Sequence, residues 1–214
     1  MGTVEAVISD FGGVLTSPLS GSFAAFEQDS GVPLAELGRA MAELEAQRGV
    51  NLLFELETGR LTEAEFLGSL AAQLSLQLGR EVEMERFGER YFATLTPNEP
   101  LIEYLRGLRE RGYKLAVCTN NVREWEARWR ALLPVPDIFD VIVDSAFVGA
   151  RKPEPEIYEL TLTRLGVQAG AALLIDDIEL NCAGARDLGM RAVWFRSNDQ
   201  AIAETEAALR DGEQ

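Results

Sequence analysis

The sequence predicts an α/β fold in which helices flank a parallel sheet and a small all-helical module follows the first strand. Three observations indicate this fold. Short apolar runs alternate with helical patterns after residue 96, as is typical of parallel strands covered on both faces. A further apolar run stands near the N-terminus. Residues 20–94, between them, show helical periodicity and no convincing strand.

Composition is that of a globular protein, with 47% apolar and 26% charged residues among 214. No apolar run approaches the roughly 20 residues of a membrane helix. The N-terminus lacks the basic and apolar regions of a signal peptide, so we expect a cytoplasmic location. Cys118 and Cys182 both lie in apolar stretches, and we expect no disulfide.

The net charge of −15 argues against nucleic acid and anionic membranes as partners, because both require clustered positive charge. The chain contains no histidine. Ser-His and Cys-His mechanisms are therefore excluded, and zinc would lose its usual nitrogen ligand. An anionic substrate would need a site made locally positive by a metal ion or by a few placed cations.

The first strand is predicted over residues 4–9, where Val4, Val7 and Ile8 form a β-branched run. Asp10 follows this run at the edge of the sheet where open α/β folds bind ligands. Gly12 and Gly13 then allow the backbone to turn tightly next to a ligand.

The helical module is predicted to contain about four helices. Apolar residues recur at helical spacing behind Pro33, which suits a helix start. Thr62 and Glu65 have the spacing of a capping box, and an amphipathic face follows them. We expect another helix over residues 82–94.

Strands and helices alternate through the rest of the chain. The predicted strands span residues 114–119, 141–143, 171–175 and 191–195. The predicted helices span residues 100–112, 122–133, 155–165, 180–188 and 199–209. With residues 4–9, this makes five strands. Trp125 and Trp129 lie four apart on one helix and predict packing or a dimer surface.

Chemically useful side chains stand at the carboxyl ends of the predicted strands, which share one edge of a parallel sheet. They are Asp10, Thr119 with Asn120, and the pair Asp176 and Asp177; Lys152 lies in the loop after the third strand. Carboxylates suit Mg²⁺, which proteins commonly hold together with a substrate phosphate. The set therefore indicates a magnesium and phosphoryl site.

Each member of this set also has a plainer interpretation. Asp176 and Asp177 suit a helix N-cap, and Thr119 and Asn120 suit a turn. Lys152 could be a solvated surface lysine. The chain, however, has only two lysines among its 20 basic residues. A lysine in this loop thus indicates a need for a compact point charge.

The order Asp10-Phe-Gly-Gly-Val-Leu, Thr119-Asn120, Lys152-Pro-Glu-Pro and Asp176-Asp177 resembles the four motifs of the haloacid dehalogenase superfamily, in its phosphatase-like branch. The resemblance implies a Rossmann-like core with strand order 5-4-1-2-3 and an active site beneath a helical cap. On this basis residues 1–17 and 96–214 form the core, and residues 18–95 form the cap.

The resemblance also implies the roles of the residues. Asp10 is expected to be the nucleophile of a phosphohydrolase that acts on a small phosphorylated metabolite through an aspartyl-phosphate. Mg²⁺ is expected on three carboxylates and one main-chain carbonyl, those of Asp10, Asp176, Asp177 and Gly12. The phosphoryl group is expected on backbone N–H groups, a hydroxyl and an ammonium, from Gly13, Asn120, Thr119 and Lys152.

One position departs from the family pattern. Most phosphatases of the family carry a second Asp where this chain has Gly12. General acid–base catalysis typically contributes about 10²–10⁴-fold to a rate. Three explanations are open: the activity is slow, another group substitutes for the acid, or the leaving group needs little protonation. Our hypothesis is a substrate with a stable leaving group, such as an anomeric sugar phosphate or an acyl phosphate.

Two other functions remain open. A 2-haloacid dehalogenase would use Asp10 against carbon without a metal, and the family's dehalogenases also lack the second Asp. A weakly active or non-catalytic binding module is the other alternative. The candidate substrate contacts are Glu45, Arg48, Phe54 and Arg123, although an ordinary amphipathic helix face explains them better. The protein is expected to be a monomer or a homodimer.

Overall fold

The computed structural model describes residues 3–84, 86–133 and 135–210. Five parallel strands form one sheet in the order β3-β2-β1-β4-β5, which is the predicted order read from the opposite edge. The strands are β1 (Ala6–Ser9), β2 (Lys114–Thr119), β3 (Val141–Asp144), β4 (Ala172–Asp176) and β5 (Arg191–Trp194). The α/β fold class is confirmed.

The strand register brings the predicted strand ends together. Ser9 of β1 lies level with Val117 of β2 and with Ile175 of β4. Asp10 continues β1 by one residue, and its N–H donates to the carbonyl of Ile175 over 2.9 Å. Asp10 therefore stands between the ends of the two strands that flank it.

Helices cover both faces of the sheet. Successive residues of each strand therefore belong to different apolar clusters. Val7 and Leu115 pack on one side, and Ile8 and Ala116 on the other. The covering helices are α6 (Glu99–Glu110), α7 (Glu126–Ala131), α8 (Val135–Ile138), α9 (Ser145–Val148), α10 (Pro155–Leu165), α11 (Glu179–Asp187) and α12 (Asn198–Arg210).

The segment between β1 and α6 is helical, as predicted, and supplies most of one apolar cluster, which Val122 also joins. It contains α1 (Ser20–Ser30), α2 (Leu34–Arg48), α3 (Leu52–Glu57), α4 (Glu63–Leu78) and α5 (Phe87–Ala93). The described residues of this segment thus form five helices, where about four were predicted. The capping box of Thr62 and Glu65 is present at the start of α4. We call α1–α5 the helical module.

Two predicted helices differ from those observed. The helix predicted over residues 82–94 begins only at Phe87. Val82 and Met84 lie outside any helix and pack into the core of the module, and Glu85 lies outside the described residues. The helix predicted over 122–133 opens as a 3₁₀ turn, Arg123–Trp125, and continues as α7. The side chain of Asn121 accepts from the N–H of Val122, which favours this tighter start.

Both cysteines are buried and free, as predicted. Trp125 and Trp129 serve packing, since Trp129 is fully buried beside Phe11 and Trp125 stacks on Tyr91 at 5.0 Å between ring centroids. Among the described residues, no helix combines the length and the apolar character required to cross a bilayer.

Candidate active site

The centre of the site is a buried lysine that bridges two carboxylates. Lys152 is 1% exposed, and its Nζ donates to Asp10 Oδ1 over 2.7 Å and to Asp176 Oδ2 over 2.6 Å. The plainer interpretation of Lys152 as a solvated surface residue is therefore wrong. Its charge is held between the ends of β1 and β4.

The loop that carries Lys152 is fixed from two sides. The side chain of Asn120 accepts from the N–H of Lys152 over 2.8 Å and donates to its carbonyl over 2.9 Å. On the other side, a Cβ at Gly184 of α11 would stand 2.7 Å from the carbonyl oxygen of Pro153. Only a glycine lets the helix approach this closely, so Gly184 and Asn120 together position the lysine.

The two consecutive aspartates at the end of β4 differ in what they contact. Asp176 is fully buried, and its oxygens accept from the N–H of Ile178 (2.9 Å), from Asn181 Nδ2 (3.0 Å) and from Lys152. Asp177 Oδ1 is buried and has no hydrogen-bond partner among the described residues. A buried carboxylate oxygen without a donor is costly unless a cation or water satisfies it.

The carboxylates fit a divalent cation. Asp10, Asp176 and Asp177 each have an oxygen that lies within 4.8 Å of an oxygen of the other two. Hard cations such as Mg²⁺ prefer oxygen donors in this kind of cluster. Asp177 offers the free oxygen, whereas the oxygens of Asp176 already accept three hydrogen bonds.

The electrostatics of the cluster also favour an added positive charge. Burial raises the pKa of Asp10 to about 7, Lys152 opposes this rise, and Asp176 and Asp177 add to it. Burial raises the pKa of Asp177 to about 6, and Asp176 adds to the rise. Burial alone would lower the pKa of Lys152, but Asp10 and Asp176 raise it well above its ordinary value. One lysine thus faces three carboxylates and does not balance them.

The glycines after Asp10 have different surroundings. Gly13 has φ +78°, and a Cβ there would collide with Asp177 Oδ2, so no side chain fits. Its N–H donates to Thr16 Oγ1 over 3.1 Å, a bond that a phosphoryl oxygen would have to replace. A Cβ at Gly12 would stand 3.3 Å from Leu19 Cδ1. The place of the family's second Asp is therefore next to an apolar side chain.

A cavity of about 930 Å³ lies between this edge of the sheet and the helical module. Its lining includes seven of the predicted residues: Asp10, Gly12, Phe54, Thr119, Asn120, Lys152 and Asp177. Asp176 and Gly13 lie behind this surface.

Three predicted substrate contacts lie elsewhere, among the described residues. Glu45 accepts from Asn51, Arg48 donates to Ser69, and both are exposed. Arg123 donates to the carbonyl of Ala146 and lies over the ring of Phe147. This geometry gives no support to substrate roles for the three residues.

Sequence reasoning missed an ion pair in the cavity wall. Arg151 Nε lies 2.7 Å from Glu57 Oε2 of α3, and both side chains are largely buried. The Arg151 guanidinium also lies 3.8 Å from the ring centroid of Phe54. Burial raises the pKa of Glu57, and Arg151 opposes that rise. The position of Arg151 directly before Lys152 was the one available signal.

The comparison with known families identifies this arrangement. Residues 4–189 match the family of haloacid dehalogenase-like hydrolases. The chain is also 35% identical over 198 residues to Phosphatase MT3486 of Mycobacterium tuberculosis, which covers 89% of this chain and 86% of that protein. This chain belongs to the haloacid dehalogenase-like hydrolase family.

A second relative of this hydrolase matches over a shorter part. The Glyceraldehyde 3-phosphate phosphatase of Pyrococcus abyssi is 38% identical over 92 residues, which are 42% of this chain and 38% of that protein. The chain thus spans well under half of that relative.

Solved structures share the fold of this hydrolase. A predicted HAD-like family hydrolase from Porphyromonas gingivalis superposes with a TM-score of 0.73 at 22% identity, covering 98% of this chain and 99% of the other. The HAD-family enzyme bt-2542 of Bacteroides thetaiotaomicron, in complex with magnesium and inorganic phosphate, gives 0.65 at 21%, covering 90% and 94%. L-2-haloacid dehalogenase from Xanthobacter autotrophicus, with chloropropionic acid covalently bound, gives 0.60 at 21%, covering 88% and 76%.

Proposed function

We propose that this hydrolase is a magnesium-dependent phosphatase that acts on a small phosphorylated metabolite through an aspartyl-phosphate on Asp10. The observation that carries the proposal is the unpartnered, buried Oδ1 of Asp177 beside two further carboxylates. A metal-free reaction on an anionic substrate has no use for three clustered carboxylates, since they would repel it. The relative named Phosphatase MT3486 supports the same choice.

In this mechanism a carboxylate oxygen of Asp10 attacks phosphorus, and the bond from phosphorus to the ester oxygen breaks. Water then attacks the phosphorus of the aspartyl-phosphate, which releases phosphate and restores Asp10. Splitting the hydrolysis in this way replaces one difficult step by two easier ones. Lys152, already 2.7 Å from Asp10, would neutralise charge on the transferring group. Thr119 and the N–H groups of Gly13 and Asn120 would hold the phosphoryl oxygens.

Mg²⁺ would be held by Asp10, by the carbonyl of Gly12 and directly by Asp177, with Asp176 acting through water. The three hydrogen bonds that Asp176 already accepts support this division between the aspartates. When bound, the ion supplies charge that stabilises the transferring phosphoryl group.

The helical module, residues 18–95 in the proposed division, would act as the cap that closes the cavity above Asp10. The buried pair of Glu57 and Arg151 joins the module to the loop of Lys152. Closing the cavity would exclude bulk water and strengthen each electrostatic interaction within it.

The direct test is phosphate release from a panel of phosphorylated metabolites, with Mg²⁺ and with a chelator, by the native protein and by Asp10→Asn. We expect activity that requires both Mg²⁺ and Asp10. Chloride release from 2-chloropropionate without metal would instead indicate the dehalogenase, which Gly12 also permits. Phosphate release that persists in Asp10→Asn would overturn the role of Asp10 as nucleophile. The absence of both activities in the native protein would overturn the proposal and favour a binding module.

A further inference from the structure

The cavity above Asp10 has a polar floor and apolar walls. Its volume of about 930 Å³ is at the upper end of the range for small-molecule sites, about 300–1,000 Å³. The walls come mainly from the helical module and carry aliphatic and aromatic side chains, among them Leu34, Leu37, Met41, Phe66, Leu70 and Phe87. A sugar or another hydroxyl-rich group would find little to bind there.

Several polar side chains in the walls are already engaged within the protein. Arg151 pairs with Glu57, and Glu63 accepts from the indole of Trp125. Asn121 accepts from the N–H of Val122. Using these groups to hold substrate hydroxyls would mean breaking buried hydrogen bonds, at a cost of about 1–3 kcal/mol each.

The rim of the cavity is apolar as well. Four large apolar residues that line it are exposed by 41% to 65% of their surface: Leu34, Phe54, Ile178 and Leu180. Ile178 and Leu180 follow the Asp176-Asp177 pair, while Leu34 and Phe54 belong to the module. Apolar patches of this kind mark surfaces that bind apolar groups. The exposed residues thus extend the apolar wall outward from the floor.

We propose that the substrate is a long-chain acyl phosphate, a mixed anhydride, with the chain lying along the apolar wall and the phosphoryl group on Asp10. The proposal rests on the phosphatase function proposed above and specifies its substrate class. It favours an acyl phosphate over an anomeric sugar phosphate as the substrate with a stable leaving group.

The wall can be tested with primary alkyl phosphates of increasing length, from ethyl to octyl, because their leaving groups have nearly the same basicity. We expect kcat/KM to rise roughly two- to fourfold for each added methylene, since burying one CH₂ is worth up to about 0.8 kcal/mol. A series that stays flat or falls with length, while Mg²⁺-dependent hydrolysis persists, overturns the chain-binding inference and leaves the phosphatase in place.

A pair of matched variants locates the effect. Gly38 lies on the cavity stripe of α2 with Leu34, Leu37 and Met41, and a Cβ there meets no atom within 4 Å. Gly38→Phe would fill the cavity and reduce the gain from ethyl to octyl phosphate by roughly tenfold or more, the loss of two to three methylenes. A Cβ at Gly68 of α4 also meets no atom within 4 Å, and Gly68 does not line the cavity, so Gly68→Phe is the control. It should leave the series unchanged.

A binding measurement distinguishes failure of the proposed apolar site from failure of the proposed phosphatase function. Calorimetry of octyl phosphate on Asp10→Asn, with Mg²⁺, should show binding with a negative heat-capacity change, which is the mark of apolar burial. Binding without any hydrolysis by the native protein would overturn the phosphatase and keep the apolar site. Octyl phosphate that binds no more tightly than ethyl phosphate would overturn the apolar site.

Discussion

Different interactions stabilise the floor and the walls of the cavity. On the floor and directly behind it, Lys152, Asn120 and Asp176 are each fixed by hydrogen bonds to neighbouring strands and loops. The walls are held mainly by apolar packing, with the buried pair of Glu57 and Arg151 as an exception. Such a division lets the reaction and the choice of substrate be altered separately. Changes to the floor should affect every substrate alike, and changes to the walls should affect substrates selectively.

The largest expected effect is that of Lys152→Met on the floor. It removes the charge beside Asp10 and leaves Asp176 Oδ2 without its donor. We expect kcat to fall by about 10³-fold or more on every phosphate ester tested. Lys114→Met is the matched control, because the Nζ of this second lysine donates to the carbonyl of Leu165, away from the cavity. A loss of kcat that varied strongly with the leaving group would contradict the expectation that changes to the floor affect every substrate alike.

Asp177→Asn should have a smaller effect than Lys152→Met, because it weakens the proposed magnesium site. A ligand at about 100 times its Kd stabilises a protein by about 2.7 kcal/mol, which is roughly 5–11 °C in Tm at this size. We expect Mg²⁺ to raise the Tm of the native protein by such an amount and to raise that of Asp177→Asn far less. The exposed Asp187→Asn serves as control. Equal shifts in all three proteins would remove Asp177 from the site.

Gly12→Asp would restore a general acid where floor and wall meet. The gain should be large for alkyl phosphates, up to about 10²-fold, and small for aryl phosphates whose leaving groups need no proton. Because Leu19 stands 3.3 Å from a Cβ at this position, the double variant with Leu19→Ala should gain more than the single one. Leu19→Ala alone is the control, and equal gains on both kinds of ester would refute the missing-acid explanation.

Glu57→Gln should have the smallest effect on the reaction and a measurable one on stability. The Glu57 and Arg151 side chains are 15% and 12% exposed, so the variant leaves a mostly buried guanidinium short of its partner. We expect the free energy of unfolding to fall by about 1–3 kcal/mol. Glu204→Gln, in a pair whose side chains are 49% and 58% exposed, should cost under about 1 kcal/mol. Denaturant unfolding of both variants compares the two pairs, and equal losses would show that burial is irrelevant here.

The floor was predictable from the sequence because strand order and strand ends follow from local patterns. Asp10, Asp176 and Asp177 come directly after or at the ends of β-branched and aliphatic runs, and a parallel sheet brings such ends to one edge. The walls were not predictable in the same way. Helical periodicity showed that Leu37 and Met41 share a face, but it does not distinguish a face that meets a core from one that lines a cavity.

The same limit explains the residues that were misplaced or missed. Glu45 and Arg48 lie on a helix whose rotation about its axis the sequence does not specify, and both side chains are exposed. The partner of Arg151, Glu57, is distant in sequence and carries no motif. The helix boundary at Phe87 depends on Val82 and Met84 entering the core of the module, which is a tertiary effect that overrides local propensity.

The contact of Leu19 with the space beside Gly12 sets an order in which this protein could change over generations. Leu19 also lines the cavity, so one side chain belongs to both the wall and the neighbourhood of the missing acid. If Gly12→Asp comes first, the new side chain is crowded by Leu19. If a mutation shortens Leu19 first, the new side chain has space. The two changes are therefore epistatic, and a lineage in search of broader activity is expected to alter residue 19 before residue 12.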